Sequence, residues 1–382
     1  MTDTIERLKG EDFDEAMNAM GTAFRFPPDR DFPMLLPQIY RPIDELMQAI
    51  YAIRRDGHIV SAVGVHPRDW RVGDTTLKLG GVGGVSTLED YRGQGLMKQL
   101  MDRCVDDMKS EGYHLSWLGG QRQRYQYYGY EKCGNYCQVS LRRTNLRHAR
   151  RELRDIHFVA MGGQSTDRVA VAKSFHEAKP IHVQRSQEDF VLYLLSGYSE
   201  PWFALDANDK VIGYIVTTSE ATGIREIASE NTESSLDVLY AWSNRIDKDL
   251  NITVQPDDVP LVRALTEMGE TVNVSLSGNW QVYDWATTLS ALMQVKHTTS
   301  GLAEGKVRVG IGEEMFAMTV NSEGVSCSPR VDAADLSLTP FQAHRVIFGP
   351  SRPSDVVGIP DAARVLEAWA PLPLSFFRAD SV

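Results

Sequence analysis

The sequence predicts a mixed fold of α+β and α/β character, built from two or three domains of roughly 100–200 residues each. Three observations carry that expectation. Apolar runs at about 48–54, 58–66 and 75–86 are separated by Asp56-Gly57 and Val72-Gly73-Asp74, which is a hairpin pattern. The third run leads through Gly93 and Gly95 into a helical stripe of Leu96, Leu100, Met101, Cys104 and Met108. The strand-then-helix order then returns, with a strand near 225–228 and a long helix over 234–249.

Composition narrows the class. Hydrophobic residues make up 42% and charged residues 24% of the 382, as in ordinary globular proteins. Nothing approaches the ~18 consecutive apolar residues of a membrane span, and the first residues carry no basic-then-apolar leader. Cys104, Cys133, Cys137 and Cys327 are too few and scattered for a disulfide framework, and Cys133 with Cys137 matches no common zinc spacing. The expectation is reduced thiols, no metal and a cytoplasmic location. A net charge of −11 argues against nucleic acid and suits a cationic small substrate.

The elements follow in order. Residues 4–9 read as a first strand. Asp12 is a candidate N-cap for a helix burying Phe13, Ala16, Met17, Met20 and Phe24. Pro27, Pro28, Pro33, Pro37 and Pro42 break 25–43 into loop or short helix. Its aromatics (Phe24, Phe26, Phe32, Tyr40) and acids (Asp29, Asp31) either line an acceptor pocket or pack as a surface flap. The three-strand meander then delivers the chain into the stretch 80–101. Glycines at 93 and 95 let backbone N–H groups approach an anion closely, and the helix start adds a positive dipole end. This is a phosphate cradle or, without a ligand, a tight strand-to-helix turn. It is neither a Walker motif nor a Rossmann fingerprint. Gly112 stops the helix, 113–118 is a strand, and an aromatic loop over 119–131 leads to a closing strand near 136–142.

Six arginines between 142 and 154 read as a solvated, partly helical connection. A second unit over about 155–285 holds a helix at 168–177, a helix starting near 190, a hairpin around 207–210, the strand and long helix already noted, a helix at 261–268 and a last strand at 272–282. Its strand-to-helix junction, 229–233, has no glycine and carries Glu230 and Glu233, so it would repel a pyrophosphate. A third unit from 286 has a helix to 295, strands at 307–311, 314–321 and 325–328, a helix at 339–348 closed by Gly349-Pro350, and a last helix at 360–369.

The run Val85-Ser-Thr-Leu-Glu-Asp90-Tyr-Arg92-Gly93-Gln94-Gly95-Leu96 resembles the acetyl-CoA motif of GCN5-related N-acetyltransferases (GNAT), and Tyr125-Gln-Tyr-Tyr128-Gly129-Tyr130 is similar to a segment of their enhanced-intracellular-survival (Eis) branch. Asp90 departs from the motif, where Gln or Arg is usual. The Asp335-Leu-Ser-Leu-Thr339…Phe348-Gly349 ending resembles a sterol-carrier-protein-like domain. The resemblance implies a catalytic GNAT domain over 1–150, a degenerate GNAT-like domain over 151–285 and a sterol-carrier-protein-like α/β domain over 286–382. It further implies a homo-oligomer, trimer or hexamer, that transfers acetyl from acetyl-CoA to a primary amine, with aminoglycoside, polyamine, small drug amine and peptide lysine all open as acceptor.

Acyl transfer from a thioester to an amine sets the candidate site. Backbone N–H groups of Arg92, Gly93, Gln94, Gly95, Leu96 and Met97 would hold the pyrophosphate. An open strand edge at Val85, Ser86 and Thr87 would pair with the pantetheine arm, and a backbone N–H at its end would meet the developing oxyanion. Gly83-Gly84 permits a bulge or splay there. By the resemblance, Tyr125 is the general acid, with Tyr127, Tyr128 and Tyr130 as neighbouring rivals. The base is the terminal carboxylate of Val382, with Asp380 as a substitute. A non-catalytic acyl-CoA sensor or lipid-binding protein is the alternative.

Overall fold

The computed structural model describes residues 4–149, 154–163, 166–330 and 333–382. Among them the strands form three sheets of eight, seven and four. The first sheet starts as the sequence predicts. Ile5–Arg7, Ile50–Arg55, His58–Val72 and Thr75–Thr87 pair in antiparallel succession. Thr75–Thr87 then lies parallel to Leu115–Leu118, with helix Leu96–Ser110 as the crossover. That helix buries the stripe of Leu96, Leu100, Met101, Cys104 and Met108, and Gly112 follows it in the left-handed region (φ 72°).

Two strands change partners relative to expectation. Tyr136–Leu141, read from the sequence as closing the first unit, runs in the second sheet between Leu250–Val254 and Thr271–Ser275. Its expected place is filled by Asn279–Val282, which pairs with Leu115–Leu118 and Glu131–Lys132. The expected strand at 272–282 is therefore two strands in two sheets, parted at Gly278 (φ 135°). Ile181–Val183 also joins the first sheet, on the end of His58–Val72. Sheet membership thus crosses the expected division near 150. Alternation along a strand tells which face is buried, but not which sheet supplies the partner.

The second sheet repeats the first one's central device. Gly223–Ser229 and Leu250–Val254 are parallel neighbours, joined by helix Thr232–Ile246. The expected helix runs to 249, but Asp247 adopts a left-handed conformation (φ 56°) and ends it. This frees Leu250, Ile252 and Val254 to point one way as a strand that the sequence analysis did not anticipate. The arginine-rich connection contains helix Arg143–Ala149, held to this unit by Arg142–Glu270 (3.1 Å) and by Arg143 with Asp247. Arg150 and Arg151 lie outside the described residues.

The third sheet, Gly305–Ile311, Glu314–Asn321, Gly324–Pro329 and Leu336–Leu338, packs with helices Trp285–Ser300 and Pro340–Phe348. The expected helix at 360–369 is instead two short turns, Asp361–Ala363 and Leu366–Trp369. The first is a 3₁₀ turn and the second a single α-helical turn, with the Trp369 N–H donating to the Val365 carbonyl (3.1 Å), and Ala363, Leu366 and Trp369 are buried. One core runs from this sheet into the first, through Trp70 and Trp280 (centroids 5.9 Å apart) to Trp285 and Phe348, which stack. The C-terminal tail lies within it. Leu372, Leu374, Phe376 and Phe377 are buried, and Phe376 packs on Trp117 and Trp280.

All four cysteines are free. Among the described residues there is no cluster of side chains suited to a metal ion, and no helix is long and apolar enough to cross a membrane.

Candidate active site

The functional geometry begins at a bulge in strand Thr75–Thr87. Its pairing with His58–Val72 shifts between Ala62 and Gly64, so that Ser86 and Gly83 face residues only two apart. Gly84 takes up the extra residue with φ 61°, where a side chain is strained. On the other side, the parallel pairing with Leu115–Leu118 ends at Val82. From Val85 to Thr87 that edge is open, and the two strands part around a cleft of about 980 Å³.

The glycine turn forms one wall. Gly93 (φ 78°) and Gly95 (φ 77°) are both left-handed, and Gly95 is the N-cap of helix Leu96–Ser110 with no side-chain cap. The first-turn N–H groups of a 15-residue helix therefore stand without an internal partner, next to the cleft. Arg92 braces the turn, donating from Nε to the Thr87 carbonyl (3.2 Å) and from Nη2 to that of Ala23 (3.3 Å). The second unit's equivalent helix start is closed, because Asn231 caps it by accepting from the Ser234 N–H at 2.9 Å. Asp90 sits exposed in the turn Glu89–Tyr91 and is not among the cleft's lining residues; its carbonyl accepts from the Gln94 side chain.

Of the predicted site residues, Val85, Ser86, Thr87, Arg92, Gly93 and Gly95 line the cleft, as do Leu96, Met97, Tyr125 and Val382. Gln94 does not. The tyrosine rivals separate by position. Tyr127 is 89% exposed, Tyr130 is fully buried and hydrogen-bonded to Ser116 (2.7 Å), and Tyr128 lines the cleft beside Tyr125. Burial pushes the Tyr125 phenol above its ordinary pKa, and Arg124 partly opposes this. Of the aromatics and acids named around 25–43, Phe24 and Phe32 line the cleft, together with Leu35 and Leu36, whereas Phe26, Asp29 and Tyr40 do not. Asp31 faces elsewhere, capping Phe32–Leu35 through the Met34 N–H (2.7 Å).

The chain terminus reaches this cleft across nearly the whole sequence. Val382 lies against the glycines of the bulged strand: a Cβ on Gly81 would fall 2.9 Å from its side chain, and one on Gly83 would fall 2.6 Å from its carboxyl carbon. From the sequence, Gly83 is credited, with Gly84, only with permitting a bulge, and Gly81 with no role. Gly81 and Gly83 both make room for the terminus. The tail is held by Gln38, which donates to the Ser381 carbonyl (3.3 Å), and by Arg185. Arg185 donates to both Asp380 oxygens (2.8 and 3.0 Å) and both Glu226 oxygens (3.1 and 3.0 Å), all three side chains being buried. Asp380 is thus a buried anchor, correcting its candidacy as a substitute base. Nothing local marks Arg185 for this role, since its partners are 41 and 195 residues away.

Residues 4–133 match the acetyltransferase (GNAT) domain family. The chain carries an acetyltransferase domain. With that domain the protein is an acyltransferase enzyme. No curated protein sequence matches significantly. Among solved structures the chain is similar to a GCN5-related N-acetyltransferase from Kribbella flavida (TM-score 0.69, 16% identity, 97% of this chain and 98% of that one). It is also similar to Eis1 from Mycobacterium abscessus (TM-score 0.68, 14% identity, 99% and 100%) and to a GCN5-related N-acetyltransferase from Anabaena variabilis (TM-score 0.67, 12% identity, 98% and 98%). At these identities the likenesses establish a shared fold over nearly the full chain. The acetyltransferase domain spans the bulge, the glycine turn and Tyr125, while the terminal carboxylate comes from outside it.

Proposed function

We propose that the protein transfers an acetyl group from acetyl-CoA directly to a primary amine. The observation that carries this is the meeting of Tyr125 and the Val382 carboxylate in one cleft whose wall is a bulged strand and an uncapped helix start. The N–H groups from Gly93 to Met97 fit a pyrophosphate, and the open edge Val85–Thr87 fits the pantetheine arm. The thioester supplies the activated acyl group.

Each chain residue then has a task. A backbone N–H at the bulge polarises the acyl carbonyl. The Val382 carboxylate holds the incoming ammonium and takes one proton from it, which frees the nitrogen lone pair for attack and is passed to solvent; as the carbon–nitrogen bond forms, the nitrogen gives up its second proton to the same carboxylate. The carbon–sulfur bond breaks, and the sulfur gains a proton from Tyr125, which solvent re-protonates. Burial suits Tyr125 to this task by keeping the phenol protonated.

The repeated strand–helix–strand crossover supports a tandem arrangement in which the second copy has lost its cofactor turn, since Asn231 occupies its helix start. One acetyl-CoA per chain follows. The alternative of a lipid-binding third unit is not favoured, because Trp285, Phe316, Met318 and Phe348 fill the space between its sheet and helices. The homo-oligomer finds support in the outer strand Thr271–Ser275, where Val272 and Val274 are exposed on an unpaired edge. The test is release of free CoA from acetyl-CoA in the presence of amines. Absence of amine-dependent release from folded protein that binds acetyl-CoA would refute transfer.

A further inference from the structure

The charge of the cleft bears on which amine it accepts. Among the described residues that line it, none carries a side-chain carboxylate, whereas Arg92, Lys98 and Arg124 are cationic. Glu89, on the adjoining turn, is paired with Arg25 at 3.0 Å. The terminal carboxylate of Val382 is therefore the only anion that the lining supplies. The rest of the acceptor wall is apolar. Phe24 and Phe32 meet edge to face (5.1 Å) beside Leu35 and Leu36, and Phe24 remains 45% exposed.

One anion in an apolar wall can neutralise one ammonium. A second ammonium on the same acceptor would lie in a desolvating cleft whose lining supplies no second counter-charge. An aromatic or aliphatic body would instead cover the exposed Phe24 face. We infer that the acceptor is a hydrophobic monoamine, an arylalkyl or alkyl primary amine with one positive charge, rather than a polycation such as an aminoglycoside or polyamine. The inference rests on the acetyl-transfer function proposed above and narrows its acceptor.

The experiment compares kcat/KM by thiol release for phenethylamine, hexylamine, spermidine and kanamycin with the full-length protein. The expected result is at least a tenfold preference for the two monoamines over the two polycations. A Phe24→Asp variant, which adds an anion to the exposed wall, is expected to narrow that preference at least threefold by raising spermidine turnover and weakening phenethylamine. A preference for spermidine or kanamycin in the wild type would overturn the acceptor inference while leaving acetyl transfer intact. No CoA release with any of the four amines would overturn both.

Discussion

Arg185 grips Asp380 with two hydrogen bonds of 2.8 and 3.0 Å in a fully buried setting, with Glu226 on the guanidinium's other edge. The pair joins the second unit's core to a residue two positions from the terminus. Removing Asp380 leaves Arg185 neutralised by Glu226 but takes two charge-assisted hydrogen bonds from the buried guanidinium, each typically worth about 1.5–3 kcal/mol. Asp380→Ala is expected to lower stability by that order in urea unfolding and, at temperatures where it stays folded, to lower kcat. An Asp380→Ala protein as stable and active as the wild type would remove the anchor role.

Gly83→Ala tests the packing of the terminus. Gly83 has no positive φ, so the change strains no backbone, but its Cβ would press on the Val382 carboxyl carbon at 2.6 Å. The carboxylate must move. If it is the base, kcat falls on the order of 10²-fold, with secondary structure by circular dichroism unchanged. Extending the chain beyond Val382 is expected to act in the same direction. Full activity in both proteins would exclude the terminal carboxylate.

Tyr125→Phe should lower kcat on the order of 10²-fold without loss of acetyl-CoA binding. The pH profile adds a second criterion. A general acid works in its protonated form, and the Tyr125 pKa is raised from 10.0 by burial. The alkaline loss of kcat attributable to this phenol is therefore expected above pH 10, and should vanish in the variant. An alkaline limb centred near pH 8 that persists in Tyr125→Phe would assign it to another group.

His66 lies beneath the bulge, its ring edge to face with Tyr40 at 5.6 Å and its Nε2 without a hydrogen-bond partner. Burial, aided by the Arg68 charge, lowers its pKa from 6.5 to about 3. The unfolded chain thus binds this proton at higher pH than the folded one, so stability is lost as pH falls below about 6.5. At pH 5 the loss from this group is about 2 kcal/mol relative to neutral pH. His66→Gln should flatten that part of the acid slope in unfolding measured from pH 7 to 5. An unchanged slope would show that His66 titrates alike in both states.

The two helix starts predict opposite outcomes. Gly95→Val forces a β-branched residue to φ 77° and crowds the cradle, so the KM for acetyl-CoA should rise at least tenfold. Asn231→Ala removes a cap worth about 1 kcal/mol, and should lower stability while leaving that KM unchanged. A rise in KM for Asn231→Ala would point to cofactor binding in the second unit.

The meander, the glycine turn and the buried helix stripe were legible because each is written in neighbouring residues. Asp56-Gly57, Gly93, Gly95 and the spacing from Leu96 to Met108 determine their own geometry through short-range sterics and periodicity. The contrast between the 93–95 and 229–233 turns was legible for the same reason, whereas Tyr125 was named as an acid only by the resemblance of the 125–130 segment. Sheet membership was not. Tyr136–Leu141 and Asn279–Val282 alternate as strands should, yet each lies in the sheet opposite to the one its place in the chain suggests. The role of Gly81 and Gly83 in making room for the terminus was hidden too, because the atoms that need the space belong to residue 382.

The sequence by itself determined the local conformations: a glycine turn, the helix start that follows it and a tyrosine-rich loop. Only the tertiary structure decided that these meet. Buried partners far apart in the chain, Arg185 with Asp380 and Trp117 with Phe376, bring the tail back to the bulged strand. Such long-range pairs leave no period or spacing in the sequence, because burial and charge compensation act through space, whatever the distance along the chain.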